Sequence, residues 1–294
     1  MISAVESSKI ILGTVQLGLP YGVNNTQGQP STKEAFRILN LAASHGVTHL
    51  DTAAAYGTSE AVIGQYHQQQ GSTPFSIITK FHFNEDEHTG EKVRKALEHL
   101  AVPQVDILLF HSYADFKNNP EVMTCLLEQK EIGAINKIGV SVYENAEVED
   151  LLNYEEVEVI QLPFNLIDNE ARRGGILREA KQLGKVIHTR STFLQGLFFK
   201  TANTLPKKLM PLTPHLEEIK WMADMHGVSM ATLALQYVVS KPYIDGVLIG
   251  VETEAQLLTN MNALTEEISK DLFRKIDQVH ISRADLLNPS NWNN

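Results

Sequence analysis

The sequence predicts an α/β protein, a single (β/α)8 (TIM) barrel spanning residues 1–294. Short apolar, β-branched runs alternate with longer stretches of helical period almost to the end of the chain. The polar residues that close six of those runs, Asp51, Lys80, His111, Ser141, Gln161 and Arg190, mostly recur at steps of roughly 30 residues, the length of one βαβ unit. No low-complexity linker divides the 294 residues. Eight strands, each followed by a helix, have a closed barrel as their simplest solution.

Strand one is read at 10–13 and runs on into GTVQLGLPYG. There Gly13, Gly18 and Gly22 are too widely spaced for the Gly-x-Gly-x-x-Gly turn of a doubly wound dinucleotide-binding sheet. A helical pattern at 33–45 stops at Gly46, before strand two at 47–51. Thr58-Ser59 open the helix at 59–69. Strand three (75–80), helix 89–100, strand four (105–110), helix 120–131, strand five (137–141), helix 145–153, strand six (157–162) and helix 171–183 follow. Gly184 separates that helix from strand seven at 185–190. Two helices, 214–226 and 229–240, precede strand eight at 244–249 and helix 253–263. Two segments stand outside the eightfold pattern. The 191–213 stretch is a long βα loop, of a length that is usually functional. The 266–279 stretch is an extra C-terminal helix, followed by a short Asn-rich tail that is ordered if Trp292 docks.

Composition removes several classes of function. With 43% hydrophobic and 20% charged residues the chain can bury a full core, so disorder is excluded. A net charge of -10 without any basic run argues against a nucleic-acid partner. The one cysteine, Cys125, allows neither an intrachain disulfide nor a cysteine-based zinc site, and fits a reducing compartment. The first ten residues, MISAVESSKI, lack signal-peptide character, and no 18-residue apolar stretch occurs, so the expectation is a soluble cytoplasmic protein with no membrane partner. His45 and His49 have the spacing of helix-borne ligands, but Gly46 interrupts them, and no metal is expected.

Active sites of such barrels lie at the C-terminal ends of the strands, so polar residues ending apolar strands are the candidates for chemistry. Asp51, Lys80 and His111 end strands two, three and four, and Tyr56 lies five residues past Asp51 in TAAAYG. Asp51 and Lys80 on adjacent strands can pair. A lysine ammonium near Tyr56 favours the phenolate and makes Tyr56 a usable general acid. His111 can donate a hydrogen bond to a substrate oxygen. Taken one at a time, a capping aspartate, a rim lysine and a core histidine are ordinary features; their joint occurrence at consecutive strand ends is what points to a site.

The chain resembles the aldo-keto reductase superfamily over nearly its whole length. The resemblance rests on GTVQLG at 13–18, DTAAAYG at 51–57, ITK at 78–80, VDILLFH at 105–111, GVS at 139–141, IQLPFN at 160–165, LQGL at 194–197 and IGVETEAQLLTN at 249–260. It implies hydride transfer from a nicotinamide dinucleotide to an aldehyde or ketone, with Tyr56 as proton donor, Lys80 as its activating partner, Asp51 as the anchor of Lys80 and His111 as the carbonyl-polarising donor. It places Ser141 and Gln161 on the nicotinamide carboxamide and the 191–197 loop, with Ser191, Leu194 and Gly196, over the pyrophosphate. Gly250, Glu252, Gln256 and Asn260 fall at the adenosine phosphate end, and Gly13 and Thr14 among the cofactor contacts.

Three positions depart from the family pattern. Ser141 is followed by Val142 instead of Asn. Arg190 stands at the end of strand seven where an aromatic ring commonly stacks on the nicotinamide; a guanidinium can stack, or bind a pyrophosphate or a substrate carboxylate. Glu252 stands where a basic residue often meets a 2′-phosphate, so NADP, the family default, is accompanied by NAD as an expected cofactor. The expected partner is a small carbonyl compound, and the expected assembly a monomer or small homo-oligomer. A cofactor-binding, redox-sensing subunit with little turnover is the alternative. A barrel lyase using Lys80 as a Schiff base is disfavoured by Asp51, which keeps the amine protonated. His82 either lines the pocket or sits on the loop, and Phe81, Phe83, Phe198 and Phe199 either wall a substrate or pack the rim.

Overall fold

A computed structural model of the chain describes residues 9–25, 27–83 and 86–292. The reading of residues 1–8 as lacking a leader, and residues 84 and 85 of the 82–88 loop, lie outside the described residues. Eight parallel strands close in sequence order into a barrel: β1 (Ile10–Gly13), β2 (His49–Asp51), β3 (Ser76–Phe81), β4 (Val105–Phe110), β5 (Ile135–Ser141), β6 (Val159–Pro163), β7 (Val186–Arg190) and β8 (Gly246–Gly250). β1 and β8 pair through Ile10↔Val247 to Gly13↔Gly250, which completes the ring. The last strand lies two residues later than 244–249 at its start, because Ile244 N–H bonds back to Lys241 C=O and Asp245 N–H joins Ile187 C=O, using those residues as the turn into the sheet.

The helices follow for local reasons. Thr32–Ser44 starts from a capping box in which Ser31 accepts from Glu34 N–H and the Glu34 carboxylate accepts from Ser31 N–H. Ser59–Gln70 ends at Gly71 in the left-handed region (φ 64°). Asn169 caps Glu170–Gln182, and Thr253 caps Glu254–Ala263, each side chain accepting a first-turn N–H. The main apolar core lies between the sheet and these helices, and a smaller cluster of Ile11, Ile78, Ile107, Leu109, Val159 and Leu248 fills the barrel interior.

The extra C-terminal helix is present but shorter than 266–279, covering Lys270–Ile276 from a Ser269 cap. Trp292 docks against the core and donates its indole N–H to Leu286 C=O at 2.9 Å. The 191–213 stretch is built from three 3-10 turns, at Leu194–Phe199, Ala202–Thr204 and Lys207–Leu212. Two short helices, Val15–Gly18 and Tyr113–Asn118, fall outside the sequence reading. No described helix is long and apolar enough to cross a membrane.

Candidate active site

Strand alternation puts every second side chain inside the barrel. The register therefore brings Gly13, Asp51, Lys80, Ser141, Gln161, Arg190 and Gly250 to its C-terminal mouth, with His111 one residue beyond β4. All eight line one cavity of about 820 Å³, together with Tyr56. Two glycines in this ring leave β1 and β8 without side chains there. A Cβ on Gly250 would meet the Gln16 amide at 2.5 Å, so glycine at that position leaves the space the Gln16 amide occupies.

Asp51 and Lys80 form a buried ion pair, each side chain 2% exposed. Lys80 also donates to Thr52 C=O at 3.0 Å, and the second Asp51 oxygen accepts from Gln161 Nε2 at 2.8 Å. Both carboxylate oxygens are thus engaged, which is what a buried charge requires. Of the three Lys80 donors, these bonds occupy two. The ammonium stands 5.2 Å from the centroid of the Tyr56 ring.

The loop carrying Tyr56 is pinned by backbone contact. Gly18 lies so close beneath it that a Cβ there would meet Tyr56 C=O at 1.8 Å and Ser59 N at 2.5 Å. Thr14 adds a second tie, donating to Asp51 C=O at 2.9 Å and accepting from Ser59 Oγ at 2.8 Å. Although Thr14 borders the cavity, its hydroxyl is spent inside the protein.

His111 packs edge-on against Tyr56 (5.9 Å) and stacks on His82 at 4.2 Å with an 8° interplanar angle. Burial, then the nearby charges of Lys80, His82 and Arg190, push its imidazolium form down to a pKa of about 3. It is therefore neutral at physiological pH, with one N–H to donate. Its Nδ1 is buried without a hydrogen-bond partner among the described residues. His82 is exposed, lines the cavity, and is held by Asp115 through Nδ1 at 2.8 Å.

Groups placed at the cofactor end by the sequence occupy the other side of the cavity. Ser191, Gly196, Glu252, Gln256 and Asn260 line it, whereas the Leu194 side chain is fully buried. Ser191, Leu194, Gln195 and Gly196 all have positive φ (64°, 47°, 54° and 86°), three of them without the freedom of glycine. Leu194 N–H donates to Ser191 C=O at 2.9 Å and Gly196 N–H to Phe193 C=O at 2.8 Å, so this left-handed backbone is a self-bonded turn that shapes the cavity wall. Gln256 accepts from Glu252 N–H at 2.7 Å, and its side chain orders the turn after β8. Ser141 and Asn260 bond to no other described side chain, and Gln161 Oε1 is buried without a partner among the described residues.

Some lining residues were absent from the sequence reading. Tyr143 lies two residues beyond Ser141, where simple alternation could have found it, and its ring carries the Arg190 guanidinium at 4.0 Å. Tyr21 and Asn24 come from the loop after β1, which gives no periodic signal; this loop clasps the 191–197 loop through Val23 N–H to Gln195 C=O at 3.1 Å. Of the four rim phenylalanines, Phe81 and Phe198 are buried, Phe83 packs on the core, and Phe199 lines the cavity. Burial pushes the Cys125 thiol up, away from the thiolate form. His45 bonds Leu41 C=O, and His49 faces Asp106 at the opposite end of the barrel.

Comparison with known proteins bears on this geometry. The model of the Aldo/keto reductase family matches residues 9–281. NADH-specific methylglyoxal reductase of Escherichia coli is 23% identical over 263 residues, covering 76% of this chain and 80% of that protein. L-glyceraldehyde 3-phosphate reductase of Escherichia coli O157:H7 is 24% identical, covering 95% of this chain and 92% of that protein. The holo form of an aldo-keto reductase from Bacillus halodurans shares the fold, with a TM-score of 0.75 at 17% identity over 94% of both chains. With the family model matching nearly from end to end of a closed eight-stranded barrel, this chain belongs to the aldo/keto reductase family.

Proposed function

We propose that the protein reduces an aldehyde or ketone to an alcohol, using a nicotinamide dinucleotide held across the mouth of the barrel. The observation that carries this reading is the constellation of Tyr56, Lys80, Asp51 and His111 on one cavity, with the Tyr56 hydroxyl bonded to no other described residue. The residues present fit such a cofactor. Among the described residues Gln161 Oε1 is a buried acceptor without a donor, its amide fixed by Asp51, and the Ser141 hydroxyl beside it has no partner, a pair suited to a carboxamide. The 191–196 loop, through Ser191 and Gly196, borders the part of the cavity where a pyrophosphate would lie, and Gly250, Glu252, Gln256 and Asn260 border the adenosine end.

When bound, the nicotinamide supplies the hydride. Tyr56 gives its proton to the carbonyl oxygen. Lys80, held in place by Asp51 and Thr52 C=O, keeps a positive charge beside the ring and stabilises the phenolate that remains. His111, neutral through burial, donates an N–H toward the same oxygen and orients it without competing for the proton. Glu252, half-buried on the cavity wall, disfavours a 2′-phosphate and accommodates NAD alongside NADP. A titration with NADPH, NADP, NADH and NAD, followed by turnover of a simple aldehyde, tests this reading. Micromolar binding with steady reduction is expected; no binding of any form refutes it, and binding without turnover would favour a redox-sensing subunit instead.

A further inference from the structure

We propose that Arg190 is a substrate-selecting residue, and that the carbonyl compound reduced here carries an anionic group, a carboxylate or phosphate, that pairs with its guanidinium. This inference rests on the reductase reading above and names the substrate class of the same site.

Three features of Arg190 support it. The first is its position. It closes β7, lies in register with Pro163 of β6, and lines the cavity that also holds Tyr56, Lys80 and His111. The second is its unmatched charge. Lys80, the other cation of the mouth, is neutralised by Asp51, whereas no described carboxylate pairs with Arg190. Its one hydrogen bond to a described residue runs from Nη2 to Val142 C=O at 3.2 Å, out of five guanidinium donors. The third is orientation. Tyr143 covers one guanidinium face at 4.0 Å, which steers the fork and leaves the remaining N–H edges for an acceptor. A planar fork held against an aromatic ring is preorganised for two oxygens of one carboxylate or phosphate.

The charge also reaches the reacting end of the cavity. Arg190 lines the same cavity of about 820 Å³ as Tyr56, Lys80 and His111, and its charge is one of those that keep His111 neutral. An oxyanion on Arg190 would therefore sit within the same small space as the carbonyl that His111 and Tyr56 face, so the anionic group and the carbonyl belong to one short molecule. In a chain of net charge -10, an unpaired cation is also a local attraction for an anionic substrate that the rest of the surface repels.

The test compares kcat/KM for two matched pairs, 4-oxobutanoate against butanal and glyceraldehyde 3-phosphate against glyceraldehyde, in the wild type, Arg190→Met and Arg190→Lys, with cofactor Kd measured in parallel. The wild type is expected to prefer the charged member of at least one pair. Arg190→Met should lower that charged-to-neutral ratio about 10- to 100-fold, the worth of a charge-assisted hydrogen bond. Arg190→Lys, which keeps the charge and loses the fork, should lower it by less and carries the test if the methionine variant does not fold. The pair that responds distinguishes carboxylate from phosphate. An unchanged ratio in both variants overturns the inference, as does a rise in cofactor Kd with no change in ratio, which assigns Arg190 to the cofactor. A wild type that reduces the neutral compounds without any preference overturns it and leaves the reductase reading standing. A wild type that reduces none of the four with either reduced cofactor overturns both.

Discussion

Lys80→Met removes one half of an ion pair whose two side chains are each 2% exposed, and leaves the Asp51 carboxylate buried with only the Gln161 amide to satisfy it. Removing one partner of a buried pair costs about 3–5 kcal/mol, because the remaining charge has lost its compensation. Asp51→Asn alone strands the ammonium in the same way, although Thr52 C=O still accepts from it. The double variant Lys80→Met/Asp51→Asn carries no buried charge, and an asparagine oxygen can still accept from Gln161. It should therefore recover most of the loss and lie within about 1–2 kcal/mol of the wild type. Urea denaturation of all four proteins closes the cycle, with a coupling of at least about 2 kcal/mol expected. A Lys80→Met loss below about 1 kcal/mol, or a double variant whose loss equals the sum of the singles, would refute the buried pair as the organising element of the site. Activity should separate from stability: the double variant, though stable, lacks the cation beside Tyr56 and should lose about 100-fold or more in turnover.

Three further outcomes follow from the same structure. His188, inside the barrel, is pushed by burial down to a pKa of about 4, below its unfolded value near 6.5, so the unfolded chain takes up the proton first and stability is lost as pH falls through that window. Replacing it by asparagine should flatten the acid limb by about 1.2 kcal/mol per pH unit between pH 6 and 4.5 in urea titrations; an unaltered slope would show that His188 is not held neutral. Gly18→Ala forces the Tyr56 loop outward and should lower kcat/KM about 100-fold in a protein with an unchanged far-UV spectrum, so retention of full activity would show that the close approach does not fix Tyr56. Glu252→Lys should tighten NADPH about tenfold relative to NADH, read as a ratio of Kd values, and no change in that ratio would place Glu252 away from the 2′-phosphate.

Strand boundaries and most of the mouth were legible in the sequence, because burial on both faces of a parallel sheet writes strands as apolar runs and leaves polar residues only where the chain leaves the barrel. β1 and β4 fall on 10–13 and 105–110 as read, and the spacing from Asp51 to Arg190 is the spacing of the strand ends in space. Features set by tertiary contact were not legible. Tyr113–Asn118 is too short for a periodic signal, although Ser112 accepting from Asp115 N–H is a cap that the sequence does contain. The engagement of Gln161 with Asp51 joins residues 110 positions apart, and nothing local encodes it. Thr14 and Leu194 were placed among the cofactor contacts through motifs, yet the Thr14 hydroxyl is bonded within the protein, the Leu194 side chain is buried, and both backbone N–H groups are spent internally, Thr14 N–H on Asp51 C=O and Leu194 N–H on Ser191 C=O, each at 2.9 Å. The clasp between Tyr21–Asn25 and Gln195 depends on left-handed backbone at non-glycine residues, which the sequence does not announce.

The central claim, that Tyr56 gives the proton in a carbonyl reduction, is tested most directly by single-turnover reduction of an aldehyde by Tyr56→Phe loaded with its preferred reduced cofactor. The ring and its packing against His111 survive that substitution, and only the hydroxyl is lost. The rate should fall by about 100- to 10,000-fold while cofactor Kd stays within about threefold of the wild type. A rate within tenfold of the wild type, or a loss of cofactor affinity as large as the loss of rate, would contradict the role assigned to Tyr56.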